Sequence, residues 1–114
     1  MTKSEAVLRA QELIGCEYER SRLTSFIDEL DMRAKIDIFN INTPDKTSDN
    51  QELAIPAPYD MAYVQYAVAK VNFEREEFSL YNNYYDKAMN LFSAFARLHN
   101  RNKSHSAKKV KGLW

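Results

Sequence analysis

Residues 59–73 read YDMAYVQYAVAKVNF and constrain the architecture more than any other stretch. They hold neither glycine nor proline, and Tyr59, Tyr63, Tyr66, Ala67, Lys70 and Phe73 recur mostly at spacings of three and four. That period places an aromatic-rich stripe on one side of a helix. Past Glu74 the pattern resumes with Phe78, Tyr81, Tyr84, Tyr85, Ala88, Leu91, Phe92, Phe95 and Leu98, and no Gly or Pro stands between 59 and 101. One helix over all of 59–101 would be long for so small a domain, so two are expected, bent near 73–77.

Pro56-Ala57-Pro58 precedes this region and holds the chain extended. Pro58 suits a helix start, where its missing N–H has no intrahelical partner. Further upstream, INTPDKTSDNQ at 41–51 breaks all periodicity and predicts a long irregular loop. Leu53 and Ile55 alternate with small or polar residues, which fits one extended piece. Loops of this length often carry contacts. A second helix is predicted from about Glu19 to Phe39, with Leu23, Phe26, Ile27, Leu30, Ala34 and Ile38 as its apolar stripe. Arg22, Asp28, Glu29, Asp31, Arg33 and Lys35 are read as its solvated face. Thr2–Ile14 predicts a short first helix, opened by a capping box of Thr2 and Glu5 and stopped by Gly15. Its apolar side is read as Ala6, Leu8, Ala10, Leu13 and Ile14.

The expected fold is therefore all-α: a four-helix domain over 1–101, with a long loop between helices two and three. An extended basic tail over 102–114, disordered when alone, completes the chain. At 114 residues there is room for one core. A single cysteine, Cys16, excludes an internal disulfide and is read as an idle thiol. No secretory leader or membrane span is expected, because charges interrupt every apolar run, so the chain is expected to be soluble and made in a cytoplasm.

Formal net charge is zero but unevenly spread. All sixteen acids and ten of the sixteen bases fall in residues 1–96, a net of −6. Arg97, Arg101, Lys103, Lys108, Lys109 and Lys111 then give the remainder +6, with no acid. Such asymmetry marks an interaction tail.

No enzymatic constellation emerges. His99 and His105 have no zinc spacing, the only glycines are Gly15 and Gly112, and the carboxylates read as surface pairs. No cofactor or metal is expected. The seven tyrosines are the unusual feature. Tyr59, Tyr63, Tyr66, Tyr81, Tyr84 and Tyr85 fit either a core with hydroxyls at the rim or a subunit interface, where tyrosine is enriched. In the tail, Val110, Leu113 and Trp114 can be anchors for a protein groove, with Lys108, Lys109 and Lys111 meeting an acidic rim. The same lysines with Trp114 also fit a nucleic-acid arm, or an inert end.

Pro56-Ala57-Pro58-Tyr59-Asp60, Ala69-Lys70-Val71, Tyr81-Asn82-Asn83 and Asn100-Arg101 form a series in order and spacing. With Ser4-Glu5-Ala6 and Glu29-Leu30-Asp31-x-Arg33, this series resembles the head-tail connector, or adaptor, proteins of tailed bacteriophages. The resemblance covers nearly the whole chain outside 41–52. It departs at Arg75-Glu76, where the family often has Asn-Gly, and after Asn100-Arg101, where the family tends to Thr-His-x-Pro-Lys. The resemblance implies a virion neck protein, a ring of roughly twelve copies beneath the portal. That ring extends the DNA channel, with viral DNA passing unbound, and meets the next neck component, a stopper or tail protein. The C-terminal segment would reach the portal and lock the two rings together.

Overall fold

The computed structural model describes residues 1–15 and 18–111, with the side chains of 104–111 outside that description. Four helices account for most of it: α1 (Lys3–Ile14), α2 (Arg20–Asp37), α3 (Met61–Glu74) and α4 (Phe78–Lys111). Among the described residues the only sheet-like pairing is one antiparallel bridge between Thr2 and Glu52. The fold is all-α.

Each boundary has a local cause. Thr2 caps α1, its Oγ1 accepting the Glu5 N–H at 3.2 Å. Gly15 ends the helix at φ 76°, a left-handed conformation that glycine adopts without steric cost. Between α3 and α4 the expected break falls at Arg75–Glu77. The Glu77 N–H bonds the Asn72 carbonyl at 2.9 Å and the Glu76 N–H bonds Phe73 at 3.1 Å. These are the two bonds of a Schellman stop, with Glu76 at φ 62° in the position glycine usually takes. Helix α3 starts at Met61, so Pro58 lies in the preceding turn rather than at the first helical position.

Helix α3 is the centre, packed against α1, α2 and α4 at once. Ala62, Ala67 and Ala69 let its neighbours approach, while Tyr63, Val64, Val68 and Val71 fill the space between them. Helix α2 contributes Leu23, Ile27, Leu30, Ala34 and Ile38, all buried as expected, and Phe26 packs at the edge. Leu53 and Ile55 are buried as well, so the loop closes one side of the core without forming a strand.

Two expectations about burial need correction. The buried side of α1 is Lys3, Ala6, Val7 and Ala10, whereas Leu8 is 62% exposed and Leu13 47%. The α2 charges are not all solvated, for Asp28 and Asp31 are buried. Lys3 reaches Asp28 at 2.7 Å and ties α1 to α2 through a sequestered ion pair.

Helix α4 runs antiparallel to α3. Its Phe78 end meets Phe73, and its middle meets Phe39 and Tyr59 through Phe95, at ring separations of 5.9 and 5.8 Å. It does not stop at Arg101: the backbone stays helical to Lys111, through the segment set apart as a tail. At about 1.5 Å per residue its 34 residues span roughly 50 Å. This length produces the 59 × 29 × 22 Å envelope and a radius of gyration of 15.8 Å, above the roughly 13 Å of a compact chain of this size.

Candidate interaction surfaces

Among the described residues, a network of hydrogen bonds around Asp31 staples three parts of the fold together. Asp31 projects from α2 into the space beneath the loop and is 1% exposed. Its Oδ1 accepts from the Tyr63 hydroxyl at 2.7 Å and from the Ala54 N–H at 2.8 Å. Its Oδ2 accepts from Thr47 Oγ1 at 2.5 Å, and Lys35 Nζ stands 3.4 Å away. Lys35 also donates to the Asp45 carbonyl and to Thr47, while Tyr63 Oη accepts the Ile55 N–H. One carboxylate thus fastens loop, α2 and α3 together.

Burial pushes the Asp31 carboxyl up, but the bonds from Thr47, Ala54 and Tyr63 and the Lys35 charge outweigh it. The net position is below the usual carboxylate range. Burial and the adjacent carboxylate both raise the Tyr63 hydroxyl. The donors around the carboxylate are all engaged within the cluster.

Tyr63 is fully buried and Tyr66 nearly so, its hydroxyl bonded to Glu29. These two belong to the chain's own core, which leaves four of the six tyrosines named as interface candidates with exposed surface. Tyr59, Tyr81, Tyr84 and Tyr85 are half-buried and keep an open edge.

Among the described residues, three of the seven exposed large apolar side chains lie together at the α3–α4 corner, the others being Leu8, Leu13, Ile36 and Ile41. Every residue from Phe73 to Leu80 is exposed, with Phe73 at 52%, Phe78 at 53% and Leu80 at 45%. Phe73 meets Phe78 at 5.8 Å and Tyr81 at 5.1 Å, and Tyr81 meets Tyr85 at 5.4 Å, a row of rings along the seam. Beside it a cleft of about 240 Å³ opens between Leu13, Val68, Val71, Asn72, Leu80 and Tyr84. Glu74, Glu76 and Glu77 give the corner an acidic rim, with Arg22 bonded to Glu74 and Arg75 set over the Tyr18 ring. Periodicity placed Phe73 and Phe78 on the aromatic stripes without deciding what covers them, and the structure leaves both exposed where α3 and α4 turn.

At the opposite end, the ring contacts of α4 finish with His99, against Phe39 at 4.8 Å and Phe95 at 5.9 Å. Arg97, Arg101 and Lys103 are exposed there. Of the tail residues, Lys108, Lys109, Val110 and Lys111 fall on the last turns of α4, while Leu113 and Trp114 lie outside the described residues, as does Cys16.

Among the described residues no cluster of His, Cys, Asp or Glu could hold a metal ion, and no helix is long and apolar enough to cross a membrane. Protein-family models, curated proteins and solved structures give no match to this chain.

Proposed function

We propose that this chain is a structural virion protein, a head-tail connector subunit that forms a ring beneath the portal and extends the DNA channel. The observation carrying this reading is the division of the molecule. A helical body carries a group of exposed rings at one end, and a cationic helix extends at the other. Separate sticky ends suit a subunit whose neighbours contact different faces, the condition for a closed ring. The ordered series of short motifs described above supports the same reading.

In this role the cationic end of α4, with Val110, Leu113 and Trp114, engages the portal. Many equivalent ends acting together turn modest single contacts into firm attachment. The acidic body suits a channel that DNA must leave, because phosphates gripped by many lysines would slow its passage. The next neck component meets the opposite face. The chemistry is assembly, with no reaction catalysed.

Electron microscopy of the full chain mixed with the portal protein of the same genome tests the proposal. The expected image is a ring stacked coaxially on the portal, lost when residues 104–114 are deleted. A second reading, a helical nucleic-acid-binding module, draws on the basic end of α4 alone. Salt-sensitive duplex binding by the isolated chain, with no affinity for portal rings, would replace the first reading with the second.

A further inference from the structure

We infer that the α3–α4 corner, Phe73–Leu80, is the seat for the stretch Arg97–Lys103 of α4 from a second copy of this chain, which leaves residues 104–114 to the portal. The corner combines what a basic helix recognises. Glu76 and Glu77 provide negative charge beside the exposed rings of Phe73 and Phe78, while Glu74 is already paired with Arg22. Lysine and arginine satisfy both features, because their aliphatic stems cover apolar surface while their cations sit over ring faces. The molecule already uses that pairing internally: Arg33 stands 5.3 Å from the Phe92 ring centre and Lys70 5.3 Å from that of Tyr66.

Two other occupants fit less well. A corner-to-corner dimer would bring the acidic rims of two copies together, and like charges in contact are costly. The chain's own basic end cannot reach, since the corner adjoins Phe78 at one end of α4 and the basic residues lie toward the other, tens of ångströms along a continuous helix. A second copy supplies Arg97, Arg101 and Lys103, with no acid among residues 97–103, against a body of −6. The contact is head-to-tail, and a pair of copies keeps one free seat and one free end.

This inference goes beyond the connector reading by naming the contact between neighbours, and rests on it only for closure into a ring. Sedimentation of the full chain over a range of concentrations, at roughly 50 and 500 mM salt, tests it. Self-association that weakens with salt is expected. The exposed charge reversals E76K/E77K and R101E/K103E should each weaken it about tenfold. Mixing the two variants should restore association, because each reversed surface then faces an opposite charge. Parent-like association of either variant, no recovery on mixing, or a monomeric parent at every concentration would overturn the inference. A monomer that still binds portal rings would do so while leaving the connector reading standing.

Discussion

Asp31 joins the loop, α2 and α3 through a single side chain. Truncation to alanine strands Thr47, Tyr63, the Ala54 N–H and the Lys35 charge. The expected cost is about 3 kcal/mol, read as a drop in the urea midpoint. Because its folded pKa is lowered, its stabilising contribution is complete above the ordinary value of about 3.9 and is lost as pH falls through the folded value. Asp31→Asn should therefore be less stable near neutral pH yet show a flatter acid limb below about pH 4. Tyr63 has the opposite sign. Its raised pKa leaves stability intact below about pH 10 and removes it above, so Tyr63→Phe should blunt alkaline unfolding. Glu76 is a third site of interest, held at φ 62° where a side chain is disfavoured. Glu76→Gly should raise stability by up to about 1 kcal/mol by relieving that strain, measured as an increase in Tm.

At the scale of elements, α1 is held partly by charge. Lys3 and Asp28 are both nearly enclosed, and removing one leaves the other buried without its partner. Lys3→Met alone should cost about 3 kcal/mol, and Lys3→Met with Asp28→Leu should recover most of it, a coupling visible in a double-mutant cycle. An α2 stapled by Asp31 was partly legible beforehand. Ile27, Asp31, Ala34 and Ile38 share one stripe at spacings of four, three and four, so an acid stood in register with the apolar positions. The reading that failed treated charge as evidence of exposure. The α1 register shifted for the same reason: buried Lys3 completes the stripe with Ala6, Val7 and Ala10, turning Leu8 and Leu13 outward.

Across the whole molecule, stability and stickiness occupy different places. The core is centred on α3, while the corner beyond it is apolar surface without cover. Phe78→Ser and Leu80→Ser should thus change stability by only about 0.5 kcal/mol each while clearly reducing binding of an apolar dye. Sequence by itself determined the helical class, the four segments, the stop at Gly15 and the opposed charges of body and end. Those follow from local periodicity, capping chemistry and composition. Only tertiary structure decided that Tyr63 and Asp31 meet across 32 positions, that the loop is fastened rather than free, and that Phe73 and Phe78 face outward. A stripe tells which residues share a side of a helix. What that side meets is fixed by how the helices turn and pack, and those relations are long-range.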